Sequence, residues 1–192
     1  YYVTAQLGYI GHSMGTTGMF QLLSSKPEFS EYIYPFVALA PVTRVGAIES
    51  AVFQIGAHVP KIFNYITSAE TPLFDVPSPD WGEYDLPAFG KYFCGNSFLK
   101  PLCSLGLFVI NGFDFTNTDE HLIPQVFSHV PDETSTWVLG HFGQRVVRSD
   151  FRQFDHGPER NRELYGTEIP PSYNLSAITN PSIILISSTG DW

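Results

Sequence analysis

One short pattern near the amino terminus constrains the fold more than any other stretch. Gly11-His12-Ser13-Met14-Gly15 follows an apolar run ending at Tyr9-Ile10 and precedes the small-residue segment Thr16-Thr17-Gly18-Met19-Phe20-Gln21-Leu22-Leu23, which reads as the opening of a helix. Strand, sharp turn and helix in that order is the setting in which G-x-S-x-G holds a serine at the top of a sheet as a nucleophile elbow. Where the arms of such a turn cross there is no room for side chains, and the backbone is forced into sparsely populated angles. A residue larger than glycine at Gly11 or Gly15 is therefore expected to close the elbow, and Ser13 is the candidate nucleophile.

The next sheet-like piece, Tyr34 to Val42, is a nearly continuous apolar run with prolines at 35 and 41, as expected of a buried strand in a parallel sheet. Strand, helix, strand is the α/β pattern, in which sites form beyond the carboxyl ends of strands. From about Thr43 to Glu168 the character changes to short amphipathic pieces: 51–59, 61–68, 98–110, 122–129 and 133–147 are plausible helices. Pro72, Pro77, Pro79 and Pro87, interspersed with aspartates, mark an irregular loop. A β-branched run returns at Pro181 to Ser188 and reads as another buried strand, with Asp191 just past it. The expected organisation is thus α/β: residues 1–43 and 169–192 form part of a parallel sheet with flanking helices, and 44–168 form a large, mostly helical insertion.

A serine hydroxyl is a weak nucleophile until a histidine takes its proton and a carboxylate orients that histidine. In α/β-hydrolases the order along the chain is Ser, acid, His. Ser13 and Asp191 supply the first two. The histidine is expected beyond Trp192, because the chain opens on Tyr1, stops just after an apolar run, and reads as an internal piece of a longer protein. On that reading the 192 residues alone turn over little substrate, and the lack of a leader says nothing of destination. The six histidines present all precede Asp191: His12 adjoins the nucleophile, while His58, His121, His129, His141 and His156 fall in the insertion and read as surface or capping residues. Asp114, Asp150 and Asp155 compete with Asp191 but have no strand before them. The backbone N–H of Met14, the residue after the serine, is the expected oxyanion donor.

A net charge of −9 repels nucleic acid and anionic membrane alike. No stretch approaches the roughly 18 apolar residues of a membrane span. Sixteen Phe, ten Tyr and three Trp give the chain an apolar excess. Phe53, Ile55, Phe63, Tyr65, Ile66, Phe98, Leu102, Leu105, Phe108 and Phe127 read either as ordinary core or as the lining of a cap that holds an acyl chain. The two cysteines, Cys94 and Cys103, read as a local disulfide or as two buried thiols; no second pair completes a zinc site, and no metal or organic cofactor is expected. Asn174-Leu175-Ser176 is a glycosylation sequon, consistent with the secretory pathway.

With these residues in view, the chain resembles the acid lipases, the family of gastric and lysosomal acid lipases. Gly11 to Thr17 is similar to that family's elbow, which more often has Gln at the position of Met14, and Leu39-Ala40-Pro41-Val42 resembles its following strand. Asn111-Gly112-Phe113-Asp114, His129 to Ser135 and Phe154-Asp155-His156-Gly157 look like landmarks of its cap. Pro170 to Leu175 looks like the return to the sheet, and Gly190-Asp191-Trp192 the start of the acid-bearing loop. Two departures stand out: Asp132-Glu133 replaces a small neutral pair, and Asn111 stands where cysteine is common. The resemblance implies an α/β-hydrolase fold and a Cys94–Cys103 disulfide in the cap. It further implies hydrolysis of acylglycerols or cholesteryl esters at a lipid–water interface, and an extracellular or lysosomal destination.

Overall fold

Tyr9 and Ile10 lie in strand β1 (Leu7–His12), which runs directly into the elbow. The computed structural model describes residues 6–58, 86–129, 134–179 and 182–191. Helix α1 (Met14–Ser25) contains no charged residue or proline and stops just before Lys26-Pro27. Pro27 has no amide hydrogen to continue the ladder, and it opens a short 3-10 turn, Pro27–Glu31. The chain then enters β2 (Ile33–Leu39), and β3 (Ile183–Ile186) completes a parallel sheet of order β1-β2-β3 among the described residues.

The helix buries a stripe, Thr16, Met19, Phe20 and Leu23, at the three- and four-residue spacing of one face. It meets β2, where the ring of Phe36 lies 5.0 Å from Phe20 and 5.7 Å from Tyr9. Phe151 joins this cluster from late in the chain. Phe36 and Leu23 are fully buried, each worth about 1.5–3 kcal/mol of transfer free energy. The register pairs His12 with Leu39 and Leu39 with Ile186, so the three strands end side by side.

The late apolar run does form a strand, but it is not buried as expected. Ile184, Leu185 and Ile186 are 50%, 61% and 51% exposed. Among the described residues β3 pairs only with β2, so its outer side has no neighbour.

The chain divides into two compact units, Tyr1–Ala47 with Gln144–Asp191, and Ile48–Gly143. Residues 144–168 thus pack with the strands. In that first unit the last turn of α6 (Thr136–Arg148) carries the buried Arg145, which donates to the Thr43 carbonyl and lies 4.9 Å above the Phe151 ring. Burial lowers its pKa to about 10, against the opposing pull of Tyr173 and Asp150. Helix α7 (Pro158–Tyr165) follows, entered through Gly157 at φ 90° and left through Gly166 at φ 75°, positions that favour glycine.

The second unit contains α2 (Ala51–His58), α3 (Leu86–Gly95), α4 (Lys100–Asn111) and α5 (Ile123–Phe127). Cys94 and Cys103 are bonded, with Cα atoms 5.8 Å apart, and tie the end of α3 to the start of α4. Both are buried beside Ile123, with Phe93, Leu107 and Phe127 packed around them. Four of the expected helical pieces appear with shifted ends. Helix α3 has no counterpart among them: Pro87 stands at its second residue, where a missing N–H has no helical partner to lose. The expected helix 61–68 lies outside the described residues, as do Pro72, Pro77, Pro79 and Asp132-Glu133.

Candidate active site

Ser13 adopts φ 48° and ψ −116°, a conformation that non-glycine residues rarely occupy and that costs about 1–3 kcal/mol. The surroundings hold it there. Its N–H donates to the Leu39 carbonyl (2.9 Å), extending the β1–β2 ladder by one rung. Its carbonyl accepts from the N–H (2.9 Å) and the hydroxyl (2.6 Å) of Thr16. A serine before a helix usually spends its hydroxyl on the first-turn amides. Ser13 makes no such side-chain cap, so its Oγ is not committed to the helix and the residue is half-buried.

Met14 is the first residue of α1. Its N–H is one of the amides that no intrahelical carbonyl reaches, at the positive end of the helix dipole. That is the electrostatic requirement for holding a developing oxyanion.

The two glycines of the elbow differ. Gly11 is buried, and a Cβ there would fall 2.8 Å from Tyr9 Cε1 and 3.1 Å from both the Gly15 carbonyl carbon and the Thr16 nitrogen. At Gly15 the nearest atom to an added Cβ is the Tyr9 hydroxyl oxygen at 3.6 Å, an ordinary contact. The expectation that both positions exclude a side chain therefore holds in space at Gly11 only; at Gly15 a methyl group fits. Tyr9 fixes the arrangement, because its hydroxyl donates to the Gly15 carbonyl (2.9 Å).

Two buried threonines secure the other side. Thr16 Oγ1 accepts from the Val42 N–H (2.9 Å), and Thr17 Oγ1 donates to the Val42 carbonyl (2.8 Å). The first turn of α1 is thereby fastened to the segment leaving β2.

Asp191 is exposed, five residues beyond the end of β3 and just after the Thr189-Gly190 turn. Because β1 and β3 both run parallel to β2 and flank it, Ser13 and Asp191 leave the same edge of the sheet. Two strand spacings separate their strands, roughly 10 Å.

The competing carboxylates are occupied elsewhere. Asp114 accepts from the side chain and N–H of Asn117 and from the Thr116 hydroxyl, which hold its pKa below the ordinary carboxylate value. Asp150 pairs with Arg152. Burial pushes the Asp155 carboxyl up, but hydrogen bonds from Asn161 and the Gly157 N–H, together with Arg148, outweigh it and lower the pKa. Among the histidines, His58 Nδ1 lies 2.8 Å from the Gln54 carbonyl within α2, and the His156 ring packs 4.7 Å from Phe154 and 6.1 Å from Tyr165. His12 is exposed. Asn174 is exposed at the start of a short 3-10 turn, where its Oδ1 accepts from the Ser176 N–H (3.1 Å).

Sequence reasoning misses Asn161, which is fully buried. Its Nδ2 donates to Asp155 Oδ1 and to the Glu168 carbonyl, both at 2.7 Å, and its Oδ1 accepts from the His156 N–H at 3.0 Å. A lone polar residue carries no periodicity by which to find it; the proximity of Asp155-His156-Gly157 is the one available hint.

Curated proteins match the chain over nearly its whole length. Gastric triacylglycerol lipase from Homo sapiens is 33% identical over 177 residues, covering 92% of this chain and 43% of that protein. Lysosomal acid lipase/cholesteryl ester hydrolase from Homo sapiens is 29% identical over 188 residues, covering 97% of the chain and 45% of that protein. The chain belongs to an acid-lipase-like family. Lipase lipl-5 from Caenorhabditis elegans is 30% identical over 191 residues, 96% of the acid-lipase-like chain and 45% of that relative. The chain thus spans less than half the length of these relatives. No family model matches it.

Proposed function

We propose that this chain is the nucleophile-bearing part of a serine hydrolase of lipid esters with an α/β-hydrolase fold. The observation that carries the reading is Ser13: a non-glycine residue at positive φ, between strand and helix, with a hydroxyl withheld from capping and an acid leaving the same sheet edge. In this reading Ser13 Oγ attacks the ester carbonyl while a histidine following Trp192 takes its proton, and Asp191 orients that histidine. The Met14 N–H holds the oxyanion; the alcohol leaves, and water then releases the acid from the acyl-enzyme.

Triacylglycerols and cholesteryl esters are the proposed substrates, in keeping with the names of the relatives. The insertion expected between 44 and 168 is proposed as a cap, with residues 48–143 as its body. Phe98, Leu102 and Leu105 support contact with lipid, being 87%, 59% and 49% exposed rather than packed as core. No helix among the described residues is long and apolar enough to cross a membrane. The Cys94–Cys103 bond and the exposed Asn174 sequon support passage through the secretory pathway to a lysosomal or extracellular destination.

The test uses the full-length protein. A fluorophosphonate should label Ser13, Ser13→Ala should abolish labelling, and emulsified long-chain esters should be cleaved in preference to dissolved short-chain ones. Preference for the short-chain esters would indicate a soluble carboxylesterase, and absence of Ser13 labelling a catalytically silent lipid-binding protein.

A further inference from the structure

The chain holds two methionines six residues or fewer from Ser13, and the structure treats them oppositely. Met19 is 6% exposed in the core beneath α1, whereas Met14, covalently next to Ser13, is 47% exposed. A thioether is oxidised where a peroxide can reach its sulfur, and the product is polar and bulkier. We infer that Met14 is a peroxide-reactive modification site whose oxidation silences the elbow. This rests on the Ser13 reading above only for its effect on activity, not for the modification itself.

The chemistry balances with hydrogen peroxide as the oxidant. The Met14 sulfur attacks one peroxide oxygen, an S=O bond forms as the O–O bond breaks, the sulfur gives up two electrons, and water leaves. The sulfoxide oxygen carries partial negative charge. It sits on the same residue whose N–H is assigned to the oxyanion, within one side-chain length of Ser13, so it opposes the negative charge that develops there. It is also a strong acceptor on the residue that opens α1, and by turning back toward the Met14 N–H it can occupy the donor the oxyanion needs.

The experiment treats the full-length protein with dilute hydrogen peroxide and follows two readouts: the sulfoxide content of the peptides holding Met14 and Met19, and the rate of fluorophosphonate labelling at Ser13. Met14 should oxidise faster than Met19 by about tenfold, in line with their exposures. Labelling should fall about tenfold or more in step with Met14 oxidation, and methionine sulfoxide reductase should restore it. Met19→Leu should lose labelling as wild type does. Met14→Leu, compared only with its own untreated rate, should not respond to peroxide. Equal oxidation of the two methionines, or labelling that survives complete Met14 oxidation, overturns the inference while leaving the hydrolase reading intact. A protein whose Ser13 never labels before treatment sinks the hydrolase reading and the silencing with it, while the Met14-to-Met19 ratio still decides the modification site.

Discussion

Gly11→Ala is the sharpest perturbation of the elbow. The added methyl meets one movable partner, the Tyr9 ring at 2.8 Å, and two that are backbone, the Gly15 carbonyl carbon and the Thr16 nitrogen at 3.1 Å. Relief by swinging Tyr9 breaks its hydrogen bond to the Gly15 carbonyl and disturbs its edge contact with Phe36. Relief by moving the backbone shifts the first turn of α1, which the Thr16 and Thr17 hydroxyls fasten to Val42. Overpacking costs about 1–3 kcal/mol and the lost hydrogen bond about 1 kcal/mol. The expected destabilisation is about 2–4 kcal/mol, or roughly 30- to 700-fold in the folded-to-unfolded ratio. Urea unfolding of the full-length protein measures this directly. Gly15→Ala, with its nearest contact at 3.6 Å, should stay within about 0.5 kcal/mol of wild type. Gly18→Ala, with nothing within 4 Å in a helix interior, should gain about 0.5–1 kcal/mol. If Gly11→Ala proves as stable as Gly15→Ala, the steric account of the elbow is wrong.

Further outcomes are expected away from the elbow. Asn161→Leu strands the His156 N–H and the Glu168 carbonyl, and should cost about 2–4 kcal/mol in the same urea assay. Asp155 has a depressed carboxyl pKa, so its contribution is present above the ordinary value near 3.8 and is lost as pH falls through the folded value. Asp155→Asn should therefore flatten the loss of stability that wild type shows below about pH 4, as followed by thermal melting across pH. Reducing Cys94–Cys103, which are nine residues apart, should release roughly 2–3 kcal/mol. The loss should appear as faster proteolysis between residues 86 and 129, and protection unchanged by reductant would count against it.

The elbow was legible because steric exclusion writes itself into residue type: a crossing with no room for Cβ must be glycine, and the strand and helix around it follow from apolar pattern. The end of α1 was equally readable from Lys26-Pro27. An apolar run, by contrast, states only that a strand prefers burial and not which neighbour supplies it, so the exposure of Ile184 to Ile186 could not be read. Helix α3 hid among prolines because Pro87 has opposite meanings in a loop and in a first helical turn. At Gly15 the motif suggested an exclusion that local geometry does not impose, since Tyr9 approaches it through its hydroxyl rather than its ring.

The hydrogen bonds at residues 42 and 43 have a further meaning. Val42 is held on both its N–H and its carbonyl by Thr16 and Thr17, while the adjacent Thr43 carbonyl is held by Arg145, over a hundred positions along the chain. These two residues act as a shared bearing: the first turn of α1 rests on one side of it and the last turn of α6 on the other. Ser13 therefore takes its coordinates from remote stretches, the rung at Leu39 and the Val42-Thr43 pair that Arg145 holds in turn, and its alignment is a property of the assembled unit rather than of the five-residue motif.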